Sequence, residues 1–426
     1  MSESGVSRPA WGAELSSLEA AEIIERMGSL GLPPERGIEY VTVGLDRLLS
    51  VLERYYLEPM AQGERGSAFK LIKGSFGAGK THFLTCLRNL AWGRGFLTAN
   101  VELSLQGCSF GDLASVYQAL VQNLVTPPAK ASDYEGRRGL GTILRAWAYA
   151  IEDPGAQRQW LRNLKLATMA NHNFRLVAAH FMQSLWAEDE ESAEQDELWL
   201  LGGTVKRLKL GSLTLTESIC ERNGSSMLTS LVQLLRLCGY PGIVALFDEA
   251  DRVAAGGRRE KKKLVDNLRQ FVDMCGSGRL PGLFWALAVP PEFISQVVVD
   301  YPALQQRLHS PLPFSAVCPQ APTIDVTDSS LPPRQFFYQL GERILAVASR
   351  AWDWQPQRER QLENLRFLVE EYLTLNFDAG QRRNFVKQWI AVLTNEHLHG
   401  EGTTDIEALC RQDEGLGGEE EEFADF

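Results

Sequence analysis

The chain has 426 residues, 44% of them hydrophobic and 23% charged, and a formal net charge of −11. That composition is globular, and the length calls for two or three subdomains instead of one core. The acidic total argues against coating nucleic acid through the overall field, and the apolar run Leu283–Val289 is far too short to span a bilayer.

The start, Met1-Ser2-Glu3-Ser4-Gly5, has neither the basic nor the apolar region of a secretory signal. The seven cysteines form no C-x-x-C pair and are widely scattered, so they read as small buried apolar residues with no disulfide or zinc framework. A cytoplasmic protein is expected.

Helical spacing of Leu15, Leu18, Ile23, Ile24, Met27 and Leu30 ends at Gly31 before Pro33-Pro34, and a second amphipathic helix carries Leu45, Leu48, Leu49, Leu52 and Tyr56. Ser67–Lys73 alternates like a strand and leads into Gly74-Ser75-Phe76-Gly77-Ala78-Gly79-Lys80-Thr81, after which His82–Leu87 reads as a helix. This is a complete G-x-x-x-x-G-K-[ST] loop in the strand–loop–helix setting it requires. Glycines let successive N–H groups turn inward around phosphate oxygens, Lys80 reaches the β- and γ-phosphates of ATP, and the Thr81 hydroxyl ligates Mg²⁺.

A second strand is expected over Thr98–Leu105. From about residue 112 to 239 the periods are mostly helical, as in Leu113-Val116-Leu120-Leu124 and Phe174-Val177-Phe181-Leu185, which makes a helical insertion. Within it the acidic stretch Glu188-Asp189-Glu190-Glu191, with Glu194, Asp196 and Glu197, reads as a solvated loop. A buried strand Ile243–Phe247 then delivers Asp248 and Glu249 at its C-terminal end, the Walker B pattern. Asp248 is expected to serve the metal and Glu249 to deprotonate the attacking water.

The continuation Ala250-Asp251 spells Asp-Glu-Ala-Asp. The Ser-Ala-Thr and His-Arg-x-Gly-Arg segments of DEAD-box helicases are missing, so the tetrapeptide carries no helicase reading. Arg252 and Arg258-Arg259-Glu260-Lys261-Lys262-Lys263 form the densest basic cluster, which reads either as a solvated helix start or as a set of phosphate contacts to duplex DNA.

Gly282–Val289 is expected as a fourth core strand and His309–Phe314 as a fifth. After a proline-rich linker come three helices, Arg334–Arg350, Arg358–Asn376 and Gln381–Thr394, and then an acidic tail. The six histidines show no metal-ligand spacing, His82 reads as a packing residue, His397 and His399 as exposed, and Trp352-Asp353-Trp354 as an anchor for the last helices. The expected fold is an α/β P-loop NTPase with a parallel sheet core. The expected divisions are 1–35, an N-terminal helical segment; 36–318, an ATPase core with its insertion; 319–400, a helical lid; and 401–426, the acidic tail.

The order of phosphate loop, Walker B, one further strand and a helical lid resembles the AAA+ ATPases. That resemblance implies an arginine acting on a neighbouring subunit's nucleotide, which Arg307 matches by position. It also implies a lid arginine near the γ-phosphate, which Arg382 or Arg383 matches, and a homo- or hetero-oligomer. One departure is that the fourth strand ends Ala288-Val289-Pro290, where the family places a polar sensor.

Residues 36–44, 67–84 and 247–252 are similar to the BrxD family of ATP-binding proteins in BREX bacteriophage-exclusion systems. The string Lys73-Gly74-Ser75-Phe76-Gly77-Ala78-Gly79-Lys80-Thr81-His82-Phe83-Leu84 carries most of that similarity. It implies an ATPase working beside a helicase-like partner and other defence components. A nucleotide-gated scaffold and an initiator or clamp-loader-like DNA-binding ATPase are the alternatives.

Overall fold

The structure is a computed structural model, and it describes residues 15–402 except 65, 105–107, 109, 130–135, 251–256, 328–330 and 375–380. The acidic tail, Asp251 and Arg252 therefore lie outside the described residues. The chain divides into two units, one of residues 47–75 and 79–327, the other of 1–46, 76–78 and 328–426.

The larger unit is built on a six-stranded sheet. Its strands are β1 (Ala68–Lys73), β2 (Leu97–Glu102), β3 (Leu124–Val125), β6 (Ile243–Asp248), β7 (Leu283–Val289) and β8 (Thr323–Asp325), with a separate hairpin of β4 (Leu208–Leu210) and β5 (Leu213–Leu215). The order across the sheet is β3-β2-β6-β7-β1-β8. Every neighbour pair is parallel except β2 with β3, so the expected parallel sheet carries one short antiparallel edge.

Sequence dictates which strands are central. β6 and β7 have apolar residues on both faces and are buried throughout apart from Asp248, as a strand covered on two sides must be. Trp285 of β7 stacks on Phe247 at 4.5 Å and on Phe271 at 4.3 Å, with Phe110 edge-on at 5.4 Å. These rings pack together on one face of β6 and β7.

The expected strand over His309–Phe314 does not form. Pro311 and Pro313 lack the N–H a ladder needs, and the fifth parallel strand is instead β8, paired to β1 from Leu71↔Thr323 to Lys73↔Asp325. A Lys73–Asp325 ion pair at 2.6 Å spans that pairing. Beside it lies Lys70, 1% exposed. Its Nζ donates to the carbonyls of Pro319 (2.8 Å) and Ala321 (2.6 Å), and it sits over the rings of Tyr56 at 4.4 Å and Phe314 at 4.7 Å.

Between β2 and β6 the chain is helical, as its periodicity predicts: α5 (Leu113–Asn123), α6 (Leu140–Tyr149), α7 (Pro154–Leu166), α8 (His172–Trp186), α9 (Glu190–Leu200) and α10 (Gly224–Leu237). The acidic stretch expected as a loop is helix α9. Asp189 caps it by accepting from the Ser192 amide, and Glu190 and Glu191 sit in the first turn, where the helix dipole favours anions. Ala193, Asp196, Trp199 and Leu200 form its buried face. Arg145 of α6 clamps the outer side through Glu190 at 2.5 Å and Glu197 at 2.6 Å.

The smaller unit is a helical bundle of α1 (Ser17–Leu30) with α13 (Pro333–Ala351), α14 (Arg358–Thr374) and α15 (Gln381–His399). A capping box of Ser16 and Glu19 starts α1, and Gly31 at φ +63° ends it. Its stripe of Ala20, Ile23, Ile24 and Met27 packs into one core with Phe337, Ile344, Leu365, Phe385, Trp389 and their neighbours. His397, expected exposed, is half-buried because it stacks on Trp352 (centroids 5.0 Å, planes 12° apart) and lies 5.6 Å from Trp354, whereas His399 is exposed.

Candidate functional site

The site is assembled at the C-terminal ends of β1 and β6, with β7 between them. After Lys73 the chain leaves the sheet, the Gly74 amide donating to the Val289 carbonyl at 3.1 Å. It then turns through Gly77 at φ +71° and Gly79 at φ +96°, values that only glycine adopts without strain. Helix α4 (Lys80–Gly93) begins directly at the lysine.

Gly79 is the N-cap of α4 and no side chain caps it, so the first N–H groups have no partner within the helix. Such an end, with its partial positive charge, is where an anion binds. Lys80 folds back along the loop, its Nζ donating to the carbonyls of Gly74 (2.9 Å) and Ser75 (3.0 Å). The ammonium thus lies against the concave backbone.

Across from the loop, the Thr81 hydroxyl donates to Asp248 Oδ2 at 2.7 Å, joining residues 167 apart in sequence. The other oxygen, Oδ1, accepts the Glu249 amide at 2.9 Å. Hydroxyl and carboxylate are hard oxygen donors of the kind Mg²⁺ takes with a partial water shell. Thr81 and Asp248 are therefore the residues that would hold it. Among the described residues no group of three or more His, Cys, Asp and Glu could hold a metal by itself, so a cation here would share its shell with water and substrate.

Glu249 occupies the left-handed backbone region at φ +61°. A non-glycine residue there costs on the order of 1 kcal/mol, and such residues cluster at functional sites. Nothing in the local sequence signals this conformation. It accompanies the end of the strand at Asp248 and the hydrogen bond that the Glu249 N–H donates back to that carboxylate.

Phe76, Ala78, Arg382 and Arg383 belong to the helical unit by the division above. Within it Arg382 Nη1 donates to the Ala78 carbonyl at 2.7 Å and its guanidinium lies 4.7 Å from the Phe336 ring, while Arg383 lies 5.8 Å from the Phe76 ring. Burial pulls the Arg382 pKa below its ordinary value.

Arg307 sits on α12 (Pro302–Leu308). Its Nε pairs with Asp273 of α11 (Arg258–Gly276) and its Nη1 donates to the Ala303 carbonyl at 2.6 Å. The Asp273 hydrogen bond holds that guanidinium charged even more firmly than usual. Sequence reasoning did not find Asp273, whose place in the helical period marks it only as a surface position. At the end of β7, Ala288 and Val289 are buried and apolar, and no polar side chain stands where the AAA+ pattern has one.

No helix among the described residues is long and apolar enough to cross a membrane. No curated protein and no solved structure matches the chain. A family model described as BREX system ATP-binding protein BrxC/D matches residues 15–411 and covers BrxC and BrxD together. With that match over nearly its whole length, the chain belongs to the BrxC/BrxD family of BREX system ATP-binding proteins.

Proposed function

We propose that the protein is a Mg²⁺-dependent ATPase of AAA+ type, of the BrxD kind within its family. In this reading it uses ATP to assemble or remodel a defence complex on duplex DNA with other BREX proteins, a helicase-like partner among them. The observation that supports the reading is the hydrogen bond from the Thr81 hydroxyl to Asp248 Oδ2 at 2.7 Å, since these two oxygens are donors of the kind a nucleotide-bound Mg²⁺ takes.

Gly74–Thr81 hold the phosphates through backbone N–H groups, and Lys80 leaves the Gly74 and Ser75 carbonyls to neutralise the β- and γ-oxygens. The metal, when bound, offsets charge on those phosphates. Glu249 takes a proton from a water whose oxygen attacks the γ-phosphorus, and the bond to the bridging oxygen breaks to release ADP. Arg307 supplies charge to a neighbour's nucleotide once it is released from Asp273, and Arg382 and Arg383 serve the γ-phosphate from the lid.

The apolar end of β7 at Val289-Pro290 supports a second reading, a nucleotide-gated scaffold with little turnover. Glu249→Gln separates the two. It keeps shape and removes basicity, so ATP binding should persist while turnover falls about 10²–10⁴-fold. Retention of most of a measurable wild-type rate would remove Glu249 from the mechanism, and an ATP-binding wild type that does not turn over would leave the scaffold.

A further inference from the structure

The N-terminal turns of α11 present four cations, Arg259, Lys261, Lys262 and Lys263, that have no ion-pair partner among the described residues. Arg259, Lys262 and Lys263 are exposed and Lys261 is half-buried, while Leu264, Val265, Leu268 and Phe271 fix the opposite face of the helix in the core. Further along the same helix Arg269 reaches Asp273 at 3.8 Å. Among the described residues, by contrast, no carboxylate lies within ion-pair distance of Arg259, Lys261, Lys262 or Lys263. Nor do Arg259 and Lys261 serve the helix, since cations in a first turn oppose its dipole.

We infer that this cationic turn of α11 is a docking surface for the sugar–phosphate backbone of duplex DNA, bound without regard to sequence. Two features favour a nucleic acid over an acidic protein segment. Protein interfaces concentrate their energy in buried aromatic or aliphatic anchors, and residues 257–263 contain no such side chain. The turn also has no Asn or Gln to read an adenine edge, and three of the four cations are lysines, compact point charges suited to phosphate. A duplex carries one negative charge about every 1.7 Å of its axis, a density that neighbouring cations can meet together. This rests on the reading of an ATPase acting on duplex DNA, and it names the surface.

The test is fluorescence anisotropy of a labelled duplex with the full chain and no nucleotide, from 50 to 200 mM NaCl. Four phosphate contacts predict a log–log salt slope of about −3.6, so affinity should fall roughly 150-fold across that range. The double variant Lys262→Gln/Lys263→Gln should halve the slope, leaving a fall of roughly 12-fold. Two duplexes of unrelated sequence should bind alike.

Absence of binding at 50 mM salt, or an unchanged slope in the double variant, overturns the assignment. So does equal competition by polyglutamate, which would indicate an acidic protein partner. Both substituted residues lie outside the nucleotide site, so unchanged ATP affinity in the variant reports that it has folded. The binding measurement involves no hydrolysis, so loss of the ATPase reading and loss of this surface are separate outcomes.

Discussion

Asp248 at the C-terminal end of the central strand β6 and Asp196 on helix α9 belong to the same unit and are treated in opposite ways. Asp248 is half-buried, and each of its oxygens takes a donor, the Thr81 hydroxyl on one side and the Glu249 amide on the other. Asp196 is fully buried between α8 and α9. One oxygen meets His180 Nδ1 at 2.6 Å, while the other has no hydrogen-bond partner among the described residues. Burial pushes the Asp196 pKa up to about 6, with His180 pulling the other way. A carboxylate that is to take a ligand would have to stay within reach of solvent and already oriented, as Asp248 is, whereas one committed to a scaffold, as Asp196 is, is dried and bears the cost of its charge.

Arg307 offers the widest break in that contrast, because its partner Asp273 could belong to either kind. If Arg307 serves a neighbour's nucleotide, Arg307→Ala should bind ATP almost normally and lose about 10³–10⁵-fold in turnover. Wild-type specific activity should also rise with protein concentration. A surface ion pair of purely structural role would show neither effect, and its removal would barely change stability. Steady-state rates across a concentration series decide between them.

Lys80→Ala sharpens the ligand side of the comparison. Two charge-assisted phosphate contacts at about 1.5–3 kcal/mol each predict a loss of ATP affinity on the order of 10²–10⁴-fold, with circular dichroism unchanged. Calorimetric titration that finds wild-type affinity in the folded variant would detach the loop from nucleotide.

Asp196 tests the scaffold side, with the smallest effect. Its folded pKa of about 6 stands above the ordinary 3.8, so between these values the native state holds a proton that the unfolded state has released. Stability should therefore fall as pH rises from about 4 to 6, by roughly 1–3 kcal/mol from this residue. Asp196→Asn should flatten that portion of the profile in urea denaturation. A profile as steep as wild type would assign the slope to other groups.

What could be read in the sequence follows from the range over which each feature is determined. The strand, turn and helix around Gly74–Thr81, the buried strand ending at Asp248, and the helices between residues 113 and 237 depend on neighbours a few residues apart, and spacing reveals them. Glu249's positive φ and the Thr81–Asp248 bond depend on strands adjacent in space but distant in the chain. Local polarity misreads the stretch from Glu188 to Glu197 as a loop. A cap at Asp189, a clamp from Arg145 and a buried face make it a helix. Nor does polarity tell apart the two lysines of β1, which lie on opposite faces of the strand: Lys70 is interior and Lys73 half-buried.

That interior lysine also bears on how the protein is made. Its two carbonyl partners lie 249 and 251 residues further along the chain. At a synthesis rate of about 5–20 residues per second, β1 waits roughly 10–50 s on the ribosome before the segment that receives its ammonium exists. Until then Lys70 keeps its water, and β1 cannot settle as an interior strand. Its neighbour β7, which separates it from β6, also arrives late. The phosphate-loop strand is among the first parts of the sheet to be synthesised and among the last to be enclosed. The nascent chain therefore cannot close a nucleotide site before nearly all of the sheet-bearing unit has been translated.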